Sequence, residues 1–266
     1  MNNKIQMIAI DIDGTLLNDD YRWDSETRDL LLELQSSNIP VMLCTGRPLK
    51  ATKQIALDMG IESYLITDNG AVVHHIKSSE NLAVKEVAVQ HCPEIVQLLE
   101  QTGAHLDLTS LQEMYTKAHG PSVAELYKKY MVNPLIVEDM TKVDDSIVKA
   151  TLFDEPERID SIMQYLPQKL KSYPVQCFRS GPTFIDIMHQ ETSKGNALHF
   201  MAHHLGVSAE FVMAIGNYYN DLDMIRYAGI GVAMGNAPED IKQAANFVTD
   251  TNNRQGVKKA IERYWR

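Results

Sequence analysis

The stretch from residue 5 to residue 17 constrains the fold most, because a continuous apolar run ends in two carboxylates and a glycine. Residues 5–10 contain one polar side chain, Gln6, and such a run is typical of a buried strand in a parallel sheet. Asp11 and Asp13 follow the strand, and burying them is costly unless a cation lies nearby. The pattern indicates either an ordinary Asp-Gly turn or a cation site.

Composition narrows the class of protein. The chain has 266 residues, of which 44% are apolar and 23% charged, as in a soluble protein with one large or two smaller domains. The net charge of -10 argues against a nucleic-acid partner, which needs a basic face. Three widely spaced cysteines favour a reduced, cytoplasmic location, and neither a signal peptide nor a membrane span is predicted.

Strands alternate with helices in the first and last parts of the chain. The predicted strands are residues 5–10, 39–44, 64–66, 211–215, 230–234 and 247–249. The predicted helices are residues 25–35, 48–59, 193–205, 221–228, 238–245 and 255–264. Such alternation implies right-handed crossovers, so we expect an α/β, Rossmann-like parallel sheet with helices on both faces.

The middle of the chain has a different pattern. Alternating strands are predicted at 104–109, 113–118 and 183–188, with helices at 94–101, 123–131 and 157–166. This mixture is typical of an α+β domain with an antiparallel sheet. We therefore expect a discontinuous core, residues 1–83 and 188–266, and an inserted α+β cap, residues 84–187.

Polar clusters follow the core strands or begin a helix. They are Asp11 with Asp13, Thr45-Gly46-Arg47, Lys194, and the segment 217–221. Each has an ordinary explanation by itself: a turn, a surface lysine or a helix cap. Ligands of open parallel sheets bind outside the carboxyl ends of the strands, so together the clusters predict one phosphate and cation site there.

These segments resemble the motifs of the haloacid dehalogenase superfamily of aspartate-nucleophile phosphatases. The matching segments, in chain order, are 11–15 (the family's DxDGT), 43–47, 193–195 and 216–221 (its GDxxND). Residues 68–71 and 232–237, and a cap inserted between the second and third motifs, resemble the Cof-type, subclass IIB branch. The resemblance covers nearly the whole chain, with the motifs in the family's order and spacing.

The resemblance implies a mechanism. Asp11 would attack phosphorus and form an aspartyl-phosphate, while Asp13 would protonate the leaving oxygen and then activate water. Thr45 and Lys194 would complete the catalytic set. Carboxylates suit these roles, because a nucleophile divides the displacement into two steps and a second acid can serve as acid and then base.

The resemblance also implies ligands. Mg²⁺ would be held by Asp11, Asp13, Asn217 and Asp221, and a small phosphorylated metabolite, such as a sugar phosphate, would be the substrate. The candidate substrate-binding residues in the core are Gly46, Arg47, Asn69 and Asn220, and those in the cap are Phe178, Arg179 and Asp186. The cap would exclude water and determine specificity.

Asn217 departs from the family pattern, which has an aspartate at this position. An amide oxygen is a permissible but weaker magnesium ligand than a carboxylate. We therefore expect weakened metal affinity rather than lost activity.

Other functions remain open at this stage. A phosphosugar mutase of the same superfamily would pass the phosphoryl group to another hydroxyl, and a catalytically weak phosphate-binding protein would explain Asn217. A signalling receiver also uses an acceptor aspartate, a threonine and a lysine, but the position of Asp11 and Asp13 on the first strand and the long insertion argue against it.

Overall fold

The computed structural model describes residues 5–88 and 91–265. The predicted domains also include residues 1–4, 89–90 and 266, which lie outside this description. The chain divides into two compact units. The first comprises Met1–Gly46, Thr52–Leu82 and Ser193–Arg266, and the second comprises Arg47–Ala51 and Ala83–Thr192. The interpretation of these units as a catalytic core and a specificity cap stays a prediction.

The described residues form the following elements in chain order. The strands are β1 Met7–Asp11, β2 Val41–Cys44, β3 Tyr64–Thr67, β4 Val72–His75, β5 Glu80–Val84, β6 His105–Ser110, β7 Met114–Thr116, β8 Leu135–Ile136, β9 Ile147–Phe153, β10 Val175–Gly181, β11 Phe184–His189, β12 Val212–Gly216, β13 Ile230–Ala233 and β14 Phe247–Val248. The helices are α1 Ser25–Ser36, α2 Leu49–Met59, α3 Cys92–Glu100, α4 Pro121–Lys129, α5 Pro156–Met163, α6 Leu166–Leu170, α7 Lys194–Leu205, α8 Leu222–Tyr227, α9 Glu239–Ala244 and α10 Gly256–Trp265.

The first sheet has the strand order β14-β13-β12-β1-β2-β3-β4-β5. The strands from β14 to β3 pair in parallel, whereas β4 is antiparallel to β3. After β1 the chain adds β2 and then β3 on one side of β1. β12 pairs with the other side of β1, and β13 and β14 are added beyond it. Because crossovers between parallel strands are right-handed in nearly all proteins, this reversal of direction is the arrangement that places helices on both faces of a sheet.

The centre of this sheet is apolar. Ile8 lies opposite Val41 on β2 and Met213 on β12, and all three side chains are fully buried. Burying one such side chain stabilises a fold by about 1.5–3 kcal/mol relative to exposure. The burial of successive residues along β1 explains why the strand reads as a continuous apolar run.

The second unit contains a sheet of order β10-β11-β9-β6-β7-β8. Its pairs are antiparallel except for β7 with β8. One face carries a core of apolar strand and helix side chains, among them Leu106, Leu152, Ile187, Leu99 and Ile159. The predicted fold class, a Rossmann-like α/β core with an α+β insertion, is confirmed.

Several elements differ from the prediction. The antiparallel β4 extends a sheet predicted to be parallel, and it follows a turn in which Asp68, Asn69 and Gly70 all have left-handed backbone angles. The helix predicted at 157–166 is two helices, α5 and α6. Within the described ranges, no helix is long and apolar enough for a membrane crossing.

Candidate functional site

The loop after β1 places the first two acids. Asp11 is the last residue of β1 and is buried. The carbonyl oxygens of Asp11 and Ile12 accept hydrogen bonds from the backbone amides of residues 16 and 17, which folds the loop back on the strand end. Gly14 has a φ of 75°, and a Cβ there would lie 2.5 Å from the amide of Asn217. Glycine is therefore required for this close approach.

Lys194 joins two carboxylates that are far apart in sequence. It is the first residue of α7, after Ser193, whose hydroxyl accepts a hydrogen bond from the Asn196 amide and caps the helix. The Lys194 ammonium lies 2.7 Å from Asp11 Oδ1 and 2.6 Å from Asp221 Oδ1. Because Lys194 is 1% exposed, the explanation of this residue as a surface lysine is wrong.

Asp221 organises the loop after β12. Its Oδ2 accepts hydrogen bonds from the backbone amides of Asn217 (2.8 Å) and Tyr218 (3.0 Å). A Cβ on Gly216 would lie 2.5 Å from the Asp221 Cβ, so the close packing here depends on glycine. Both Asp221 oxygens thus face donors of this chain, and its predicted role as a metal ligand stays a prediction.

Asn217 lies over the loop that follows β1. One terminal atom of its amide is 3.1 Å from Asp11 Oδ2, 3.1 Å from the Asp13 carbonyl oxygen and 3.2 Å from Thr15 Oγ1. Carboxylate and carbonyl oxygens only accept hydrogen bonds, so the amide nitrogen is the atom that satisfies these contacts. The structure therefore brings together Asp11, Asp13 and Asn217.

A second group of predicted residues surrounds the end of β2. The Thr45 amide donates to the Ile66 carbonyl, and the Thr45 carbonyl accepts from the Asn69 amide at 2.9 Å. Asn69 Oδ1 in turn accepts from Asn220 Nδ2 at 2.9 Å, and a Cβ on Gly46 would lie 3.0 Å from the same oxygen. Thr45, Gly46, Asn69 and Asn220 thus form one loop cluster.

The turn before β4 fixes the start of α7. Gly70 has a φ of 100°, and a Cβ there would lie 2.3 Å from the carbonyl oxygen of Ser193. The adjacent Asn69 also adopts left-handed angles, which asparagine tolerates better than most residues. The tight contact between Gly70 and Ser193 places the backbone from which Lys194 extends.

The other predicted substrate residues belong to the second unit. The Arg47 guanidinium lies over the ring of Tyr130, 5.2 Å from its centroid. Asp186 on β11 is buried and accepts a hydrogen bond from Thr151 Oγ1 at 2.8 Å. Phe178 and Arg179 lie on β10, where Arg179 pairs with Asp160. Their role in substrate binding stays a prediction.

Burial and neighbouring charges shift the pKa values of two site residues, Asp11 and Lys194. Burial and then the neighbouring Asp221 raise the pKa of Asp11 to about 7, while the Lys194 ammonium acts in the opposite direction. Burial by itself lowers the pKa of Lys194, but Asp11 and Asp221 outweigh it and raise that pKa above its ordinary value. Lys194 is therefore a fixed positive charge between two acids.

The donor set for a metal is small but chemically suitable. The described part of the chain contains no group of three or more His, Cys, Asp or Glu side chains that could hold a metal ion. Asp11 Oδ2 and the Asp13 carbonyl oxygen nevertheless both lie 3.1 Å from the same atom of the Asn217 amide. Oxygen donors of this kind fit Mg²⁺, which keeps several waters and needs few protein ligands.

Sequence reasoning missed Thr15 as a site residue. Its hydroxyl is buried and lies 3.2 Å from the Asn217 amide. The signal was present, because Thr15 is the last residue of the motif that begins at Asp11.

A parallel sheet whose carboxyl ends carry an aspartate pair, a buried lysine and a Thr-Gly loop has the arrangement of an α/β enzyme that transfers phosphoryl groups. The model of the haloacid dehalogenase-like hydrolase family matches residues 8–261, and the chain belongs to this family.

Relatives of known name agree with this assignment. YxeH, a putative phosphatase of Bacillus subtilis, is 33% identical over 96% of this chain and 97% of its own. YcsE of the same organism, a 5-amino-6-(5-phospho-D-ribitylamino)uracil phosphatase, is 31% identical over 98% of this chain and 96% of its own. A haloacid dehalogenase-like hydrolase structure from Bacteroides thetaiotaomicron has a TM-score of 0.88 at 28% identity, with 97% and 99% of the two chains covered. The predicted superfamily and the predicted enzyme class, a phosphatase, are confirmed.

Proposed function

We propose that this phosphatase hydrolyses phosphomonoesters of small cytoplasmic metabolites, with Mg²⁺, through an aspartyl-phosphate at Asp11. The observation that carries the proposal is the Lys194 ammonium held between Asp11 and Asp221. This arrangement places an ammonium group beside Asp11 at the carboxyl ends of the strands, where an open sheet of this kind binds phosphate. A dianionic phosphoryl group needs further positive charge, because two carboxylates face this one ammonium and the whole chain carries -10, and Mg²⁺ would supply it.

The chemistry requires two displacements. In the first, an Asp11 oxygen forms a bond to phosphorus, the ester oxygen–phosphorus bond breaks, and Asp13 gives its proton to the departing oxygen. In the second, Asp13 accepts a proton from water, and the water oxygen attacks phosphorus. The bond between Asp11 and phosphorus then breaks and inorganic phosphate leaves.

The residues around β2 support phosphate binding. Thr45 and Gly46 follow the strand directly and precede α2, so the Thr45 hydroxyl and the Gly46 amide suit the phosphate oxygens. The hydrogen bond between Asn69 and Asn220 links this loop to the loop after β12. We propose that this hydrogen bond holds the two loops in a fixed position relative to each other around the phosphoryl group.

Magnesium would be held by four residues: Asp11, Asp13 through its carbonyl oxygen, Asn217 and Asp221. When bound, it would supply positive charge beside the phosphoryl oxygens and lower the pKa of Asp11. The protein residues would still perform the bond-making and proton-transfer steps described above.

We propose a sugar or sugar-alcohol phosphate as the substrate. The support is the relative YcsE, whose named substrate carries a phosphorylated ribityl group. We propose that the second unit contributes to substrate specificity.

A phosphate-release assay tests the proposal. Purified protein with Mg²⁺ is presented with sugar phosphates, sugar-alcohol phosphates and 5-amino-6-(5-phospho-D-ribitylamino)uracil, without any bisphosphate activator. We expect free phosphate, and a loss of more than about 10³-fold in kcat for Asp11→Asn. Asp13→Asn should lose about 10²–10⁴-fold.

Asp20→Asn is the matched control, because it makes the same change at an exposed position of the same segment. Equal rates for Asp11→Asn and the control would exclude Asp11 as the nucleophile. Phosphate transfer to a second sugar without release of free phosphate would indicate a mutase instead.

A further inference from the structure

The side-chain amide of Asn217 lies next to three oxygens of the loop after β1. Asp11 Oδ2 and the Asp13 carbonyl oxygen lie 3.1 Å from the amide atom that its hydrogen-bond partners assign as nitrogen, and Thr15 Oγ1 lies 3.2 Å from it. A partly positive NH₂ group therefore faces a carboxylate oxygen and a backbone carbonyl oxygen, which are two of the proposed ligands of the cation.

Asp11 is held by nitrogen donors on both of its oxygens. The Lys194 ammonium lies 2.7 Å from Oδ1, and the Asn217 amide lies 3.1 Å from Oδ2. A buried carboxylate without donors is costly, whereas here each oxygen has one. The Asn217 backbone is fixed separately, because its own N–H donates to Asp221 Oδ2 at 2.8 Å.

We propose that the Asn217 side chain is a built-in substitute for the cation, which keeps the site assembled when no metal is bound. This inference rests on the proposed function only in taking the cation position from it. Metal binding then requires the amide to turn, so that its oxygen replaces its nitrogen beside Asp11 and Asp13. That turn breaks the hydrogen bonds of the nitrogen, while the backbone contact to Asp221 remains.

An aspartate at position 217 reverses this balance. Without metal, a second carboxylate would lie about 3 Å from Asp11 Oδ2 and from the Asp13 carbonyl, and the amide hydrogens that now face both oxygens would be lost. With metal, the same carboxylate becomes a charged ligand. The substitution should therefore exchange metal-free stability for metal affinity.

Thermal unfolding of the complete protein tests the proposal without any activity measurement. The melting temperature is measured in EDTA and over a Mg²⁺ titration for the wild type and Asn217→Asp. In EDTA we expect the variant to melt at least about 3 °C below the wild type. Mg²⁺ should raise the melting temperature of the variant by more than that of the wild type, and the Mg²⁺ dissociation constant should fall at least about tenfold.

Asn252→Asp is the matched control. The Asn252 amide also donates to one backbone carbonyl, that of Leu17, and to one carboxylate, that of Asp19, but at the protein surface. We expect a small loss of melting temperature in this variant, with no recovery in Mg²⁺.

A double-mutant cycle with Asp11→Asn isolates the contact. If the Asp11 carboxylate causes the metal-free loss, Asn217→Asp should lower the melting temperature much less in the Asp11→Asn background. The inference is overturned if the EDTA melting temperatures of wild type and Asn217→Asp agree, if the loss is equal in both backgrounds, or if Mg²⁺ stabilises both proteins equally. Absence of phosphatase activity would reject the proposed function and leave these melting data to decide the inference.

Discussion

At the scale of single residues, Lys194 has a large expected effect on stability. Its ammonium is fully enclosed and pairs with Asp11 and Asp221, both of which are buried. Lys194→Met would leave two carboxylates facing each other without a cation. Breaking a buried ion pair by removing one partner costs about 3–5 kcal/mol. We expect a loss of this size in urea unfolding, together with loss of phosphate release.

Lys258→Met is the comparison for that prediction. Lys258 pairs with Glu26, a surface carboxylate, across α10 and α1. Exposed ion pairs contribute little to stability, so urea unfolding of this variant should resemble that of the wild type. Equal unfolding of the two lysine variants would show that the buried pairs do not stabilise the site.

The sequence identifies most of the core site residues but not their contacts. Asp11, Thr45 and Lys194 are predictable, because polar residues directly after apolar strands or at a helix start stand out. The pairing of Lys194 with Asp11 is not, since it joins residues 183 positions apart and depends on how α7 packs on the sheet. The use of both Asp221 oxygens within the protein likewise follows from the folded loop.

At the scale of elements, the turn before β4 controls the start of α7. Gly70 combines a φ of 100° with a position where a Cβ would lie 2.3 Å from the Ser193 carbonyl. Gly70→Ala must therefore move the N-terminus of α7 and with it Lys194. We expect both a lower free energy of unfolding and a lower kcat, measured by urea unfolding and phosphate release.

Gly206→Ala separates backbone strain from the collision. Gly206 ends α7 with a φ of 67°, but a Cβ there meets nothing within 4 Å. Its substitution should cost only about 1 kcal/mol, with kcat unchanged. If Gly70→Ala costs no more than Gly206→Ala, the contact with Ser193 does not constrain α7.

Strands that are apolar along their whole length are predictable, whereas others depend on distant partners. β1 and β2 are continuous apolar runs because helices cover both faces of their sheet. β9 was missed because Lys149 interrupts its apolar pattern, although this side chain is buried in the fold. Its strand character comes from pairing with β6 and β11, which no local pattern shows.

At the scale of the whole molecule, each of the two units has its own apolar core. Leu152 lies in the core of the second unit, and Ile8 lies in the central strand of the first. Leu152→Ala and Ile8→Ala should each cost about 2–5 kcal/mol in the unit that holds the residue. Hydrogen exchange read by mass spectrometry should show faster exchange mainly in peptides of that unit. Equal acceleration in both units by either variant would show that the chain unfolds as one cooperative body.

The two ends of the long segment of the second unit differ in how near they lie, along the chain, to a residue of the site. This segment begins at Ala83, fourteen positions after Asn69, but ends at Thr192, two positions before Lys194. When evolution replaces one such insertion by another, the end of the new segment has to lead into α7 so that Lys194 still reaches Asp11 and Asp221. Variation in length should therefore accumulate near the entrance of the insertion and be rare at its exit, a pattern that an alignment of many family members can test.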